Sequence, residues 1–156
     1  MTDNVEIYYF EVSFMVYADI LSNIHSAISS KKADLNAKIE RLEKAKNAII
    51  KEQSMCLNEI RKIKDPELGG SWTGKRSDHF QEARHDAYNV MFSIIHDDYD
   101  DYQWKIEAMI TKLSAENTLL NIAGNIAQEA DNLLSKGEEA FEQLESKISD
   151  LKRRLI

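Results

Sequence analysis

The chain holds one proline, one cysteine and five glycines in 156 residues, and each shortage removes a class of structure. So few chain-reversing residues argue against an all-β fold, which needs a turn every few residues. Cys56, standing alone, excludes an internal disulfide and a thiolate metal cluster, and leaves the compartment open. A basic region followed by an apolar core and a small-residue cleavage site is lacking, so any export is expected to bypass the general secretory signal. The aromatic stretch NVEIYYFEVSFMVY at 4–17 is broken by Glu6 and Glu11 and is too short to span a bilayer. A net charge of -7 lacks the basic excess that favours nucleic acid or anionic membrane. No glycine-rich phosphate loop, paired catalytic carboxylates or basic–aromatic interleaving is present. An enzyme is not expected, nor a cofactor.

What is present concentrates at one point. Asp65 to Phe80, DPELGGSWTGKRSDHF, contains the only proline and three of the five glycines. Pro66 lacks the amide donor a helix requires, which ends the first helix near Lys64. Gly69, Gly70 and Gly74 then allow the backbone to reverse. Within this turn, Trp72 and Gly74 form a W-x-G with Phe80 six residues beyond the glycine. Trp72 is expected to bury its ring across the end of a helix pair, and Gly74 to let the helices approach.

Both flanks read as helix. Leu21, Ile28, Leu35, Leu42, Ile49, Cys56 and Ile63 recur at intervals of seven, the period that holds one seam along a supercoiled helix. The companion positions are patchy, with Lys31, Lys46 and Gln53 interrupting them. Beyond the turn come Phe80, Ala87, Met91, Ile94 and Ile95, then a second run of sevens from Ile106 through Leu113, Leu120, Ala127, Leu134, Phe141 and Ile148 to Leu155. Gly124 and Gly137 each cost about 1 kcal/mol relative to Ala in a helix and are candidate bends, yet the register runs through both. The expected fold is all-α: an elongated antiparallel hairpin with helix 1 over 15–64, the turn over 65–74, and a second long helix over 75–156, with Gly124 as its foremost bend. Residues 1–14 read as an extension outside this domain. Glu11-Val12-Ser13 back-translates to a ribosome-binding sequence just upstream of Met15, so Met15 is the expected native start.

Charge favours pairing of the arms. Residues 31–64 hold ten Lys or Arg against five Asp or Glu, whereas 77–104 hold one against seven. A sharp reversal with Ile63 opposite Lys75 sets the acidic group at 97–101 against Lys38, Arg41 and Lys44, and Glu107 against Lys31 and Lys32. It also leaves 125–155 overhanging, with an apolar stripe to be covered by folding back, by a twin subunit or by another protein. The run HDDYDD from His96 lacks the glycine turn and distal glutamate of a calcium loop, which makes it an acidic face and no metal site. His79 and His85 have no nucleophile beside them in sequence, and Cys56 sits at an apolar heptad position, as a structural cysteine would.

KIERLEKAK at 38–46 followed by DPELGGSWTGKRSDHFQEAR at 65–84 resembles the YwqH-like proteins of the WXG superfamily, which accompany LXG-domain toxins in Gram-positive bacteria. The resemblance extends more weakly through Ile106 to Leu120. It implies a helical partner or targeting chaperone that binds the LXG domain of a toxin and presents it to the type VII secretion ATPase. That complex can include a second small helical protein, and the chain would act in the cytoplasm or be co-secreted. The family's export signal pairs an aromatic with an acid four residues later. Phe141 and Glu145 fit its loosened form, F-x-x-x-E, with Phe for Tyr and Glu for Asp. On a helix the two share one face, although Phe141 is equally a seam residue of the sevens and Glu145 a solvated charge. Leu120, Leu134, Ile148 and Leu155 are the candidate partner-facing seam. A secreted homodimer without a toxin, and a structural coiled coil unrelated to secretion, are the competing readings.

Overall fold

The computed structural model describes residues 2–156, with side chains from residue 4 onward. Every regular element among them is helical: α1 (Thr2–Ile60) ends in a 3-10 turn, and α2 (Lys75–Ser93) runs through one π-helical turn at Ile94–Asp98 into α3 (Tyr99–Lys136). A second 3-10 turn at Gly137–Ala140 leads to α4 (Phe141–Leu155). No helix among the described residues is long and apolar enough to cross a membrane. The chain forms two compact units, one of residues 1–38 with 113–156 and one of residues 39–112.

The first unit is a three-helix bundle. Leu21, Ile24 and Ile28 of α1, Ala123, Ala127 and Ala130 of α3, and Leu144, Ile148 and Leu151 of α4 form one buried cluster. Small alanines on α3 let α4 approach closely, and the apolar face of α4 disappears between its neighbours. Leu144 and Leu151 are 0% exposed, a burial that stabilises each side chain by about 1.5–3 kcal/mol. His25 Nε2 meets Asp131 Oδ2 at 2.6 Å, Asn117 donates to Asn36 at 3.1 Å, and Lys147 reaches Glu129 at 2.5 Å. Partners of α1 fall from 131 to 117 as its own numbers rise from 25 to 36, and α4 meets Glu129 at Lys147 and Leu120 at Leu155, so both helices run antiparallel to α3.

The overhang is therefore absorbed by the first of the three routes, folding back as a third helix. The break falls at Gly137 and not at Gly124. Gly124 stays inside α3, where the alanine face around it is packed and holds the helix through the local cost of a glycine. Gly137 adopts φ +76°, the left-handed conformation that ends a helix at its carboxyl side and that glycine enters most cheaply.

The second unit is a two-helix hairpin, and its register differs from the one charge suggested. Lys64 Nζ lies 3.9 Å from the centre of the Tyr88 ring, Gln103 donates to Gln53 at 2.7 Å, and Lys46 pairs with Glu107. Glu107 thus meets neither Lys31 nor Lys32. Nor do the acids at 97–101 set the register against Lys38 and Lys44, which pair with Asp34 and Glu40 one turn back on their own helix. The cause lies in the turn. Asp65 to Gly74 is a strap of ten residues between Lys64 and Lys75, laid along the first turns of α2, so α2 begins well beyond the end of α1.

Candidate interaction site

The strap is tied by side chains of the helix it covers. Arg84 donates to the carbonyls of Pro66, at 3.1 Å, and of Lys64. Ser77, the buried polar residue of α2, donates from Oγ to the Trp72 carbonyl at 2.8 Å. The Trp72 amide closes a turn on the Gly69 carbonyl at 2.9 Å. The indole is not buried between helices as expected. It stands 54% exposed, edge-on to Phe80 with ring centres 5.8 Å apart. Gly74 has φ +108°, and a Cβ built there would meet nothing within 4 Å. Its need for glycine is conformational and does not come from close helix approach.

At the other end of the chain, Phe141 opens α4 between two rings of α1, 5.4 Å from Phe10 and 5.5 Å from Tyr17. Glu145, exposed one turn later, lies close enough to the Tyr17 hydroxyl to perturb it. Partial burial first, then the charge of Glu145, hold that hydroxyl above its usual pKa. Tyr17 therefore packs on the aromatic of F-x-x-x-E and senses the charge of its acid. Leu120 and Ile148 are buried, while Leu134 and Leu155 pack on the same cluster. Ile148 is thereby closed off by the chain itself, whereas Leu120 and Leu155 also line an open groove of about 560 Å³ with Leu35, Leu119 and Ala123.

Another open surface lies on the second unit, where the π turn organises it. Inward-facing positions run Ile95, Tyr99, Gln103, Ile106, Ile110 and Leu113, so two successive steps of four stand where a regular seam alternates three and four. One residue is in excess. A π turn absorbs a single extra residue without rotating the helix beyond it. Widening the turn loosens its carbonyl ladder, and Gln53 of α1 answers from across the hairpin. Its amide nitrogen lies 3.1 Å from the Ile95 carbonyl, 3.4 Å from the His96 carbonyl and 2.7 Å from Asp100 Oδ1, while its oxygen accepts from Gln103. The glutamine that interrupts the apolar repeat is thus the side chain that satisfies the π turn. In the same segment His96 Nδ1 meets Asp97 at 2.9 Å, and that bond, outweighing desolvation, raises the imidazole pKa.

With the extra residue absorbed, the helical repeat brings Val90, Ile94, Tyr102 and Met109 onto one side of the second arm. All four are exposed, Val90 to 61%. Against this flank Ala48, Ile49 and Glu52 of α1 join Tyr99 and Tyr102 to line a groove of about 450 Å³, and Met55 continues it along α1, also exposed. The opposite flank is polar, lined by Glu43, Lys46, Asn47, Glu107 and Ile110. Sequence reading missed this groove because the π turn, invisible in a count of sevens, decides which side Tyr102 and Met109 occupy. Two consecutive four-residue steps are the signal that could have found it.

The profile of the YwqH-like family matches residues 20–123. Protein YwqH of Bacillus subtilis (strain 168) is 37% identical over 138 residues, covering 88% of this chain and 99% of that protein. No solved structure matches.

Proposed function

The chain belongs to the YwqH-like family, and from that premise we propose that it is a helical partner and targeting chaperone for the LXG domain of a toxin bound for type VII secretion. One observation carries the reading: the hairpin of residues 39–112 leaves one flank apolar, open and grooved. Two helices cannot bury a stripe such as Val90, Ile94, Tyr102 and Met109, and an amphipathic helix laid alongside can. The toxin's helices would dock there by side-by-side packing, shielded until they meet the secretion ATPase. Phe141 and Glu145 would serve as the export signal, with Tyr17 beside the pair. This arrangement keeps the toxin-binding flank and the signal on separate units.

The test is co-expression with the helical amino-terminal LXG domain of a toxin from the same genome, with complex mass read by light scattering after gel filtration. Tyr102→Asp with Met109→Asp should abolish the complex while leaving helicity and melting temperature close to wild type. A complex that forms as well with the double variant as without it would remove the groove from the proposal.

A further inference from the structure

We infer that α4 is an exchangeable arm through which two copies of this chain form a domain-swapped dimer. The inference is independent of what the groove binds. Only the four residues Gly137–Ala140 separate α3 from α4, and the reversal depends on one left-handed residue, Gly137 at φ +76°. The apolar register does not notice the break: Ala127, Leu134, Phe141, Ile148 and Leu155 keep intervals of seven across it. A chain that straightens at Gly137 therefore continues α3 into α4 as one helix with its seam on one face. Short connections of this kind favour exchange, since opening them relieves the turn.

What α4 leaves behind is a slot that another copy of α4 fits. Leu144, Ile148 and Leu151 are buried against Leu21, Ile24 and Ile28 of α1 and Ala123, Ala127 and Ala130 of α3. Lys147 pairs with Glu129, and Phe141 seats between Phe10 and Tyr17. Each of these contacts joins α4 to another element, so a second copy can supply every one. Because α4 runs antiparallel to α3, two straightened chains lying antiparallel about a two-fold axis near residues 137–140 place each α4 in the other's slot. The exchange is isologous and closes after two copies.

Gly137→Ala tests this. Alanine disfavours the left-handed turn and favours the continuous helix by roughly thirtyfold per chain, or roughly a thousandfold in the dimer dissociation constant. Mass by light scattering should shift from monomer toward dimer. To read connectivity, ¹⁵N-labelled and unlabelled protein are refolded together, the Lys147–Glu129 pair is joined by a zero-length carbodiimide, and the linked peptides are weighed. A dimer peak whose 129–147 peptide carries one labelled and one unlabelled half is the expected result. A dimer whose linked peptides are isotopically pure, or Gly137→Ala remaining monomeric at all concentrations, would overturn the inference. If Gly137→Ala fails to fold, wild-type protein refolded at high concentration answers the same question by the same peptide. Inserting Gly-Asn-Gly after position 137 of the Gly137→Ala chain should restore the monomer, and dimer formation undiminished by that longer loop would also count against exchange.

Discussion

Replacing Gln53 by leucine puts an apolar residue where the sevens call for one, and simple pattern reasoning expects stabilisation. The π turn reverses that expectation. Of the four partners Gln53 serves, Asp100 and the His96 carbonyl reach water and lose little. The Ile95 carbonyl belongs to a buried residue, and Gln103 is half-buried against the same amide. Leaving one buried carbonyl unpaired costs about 1–3 kcal/mol and losing one ordinary hydrogen bond about 0.5–1.5. Against this stands about 1 kcal/mol gained by burying part of a leucine. The net is a destabilisation of about 2 kcal/mol, or a melting temperature lower by about 4–8 °C for a chain of this length. The decisive assay is a double-mutant cycle with a deletion of Asp98, which removes the excess residue, converts the π turn to α-helix and keeps the seam on both sides in place. In that shortened chain no loosened carbonyls remain, so Gln53→Leu should be neutral or stabilising. Denaturant midpoints of the four proteins give a coupling of about 2 kcal/mol if the reasoning holds. Additive effects within about 0.5 kcal/mol would show that Gln53 and the π turn are unrelated.

Truncating Leu151 to alanine, at a side chain with no exposure, should cost about 2–5 kcal/mol, and hydrogen exchange should show α4 losing protection while residues 39–112 keep theirs. At the turn, Gly74→Ala should destabilise by about 1–3 kcal/mol because its extended backbone at positive φ is open essentially to glycine alone, more than Trp72→Ala, which forfeits an exposed edge-to-face contact of about 0.5–1.5 kcal/mol. The reverse order in thermal melts would mean that the indole, and not the glycine, secures the strap. His96 should titrate above the usual histidine range, because its bond to Asp97 favours the protonated ring. A raised folded pKa stabilises the fold fully below the unfolded value and fades as pH rises through the folded one. NMR titration should therefore place the His96 transition above that of Asp97→Asn, and coincident curves would contradict the bond.

Residue types and spacing made the local structure legible. Long helices followed from intervals of seven, and the helix stop from a proline followed by paired glycines, because both express the intrinsic geometry of a backbone that needs no partner to adopt it. Where the tail breaks was legible in part. Lys136-Gly137 followed by Glu138 and Glu139 is a helix end and a helix start in one phrase, but equal costs at Gly124 and Gly137 left the choice to packing. Register was not legible, because exposed charge pairs contribute too little to set it and the length of the strap along α2 is set by Arg84 and Ser77 reaching back to its carbonyls. The tertiary structure alone decided which apolar residues are inside. Ile148 looked like part of a stripe awaiting a partner and is covered by the chain itself, while Tyr102 and Met109 looked like ordinary helix residues and stand open. Periodicity states that a face must be buried. Only three-dimensional packing, here a left-handed glycine and one extra residue in a π turn, states by what.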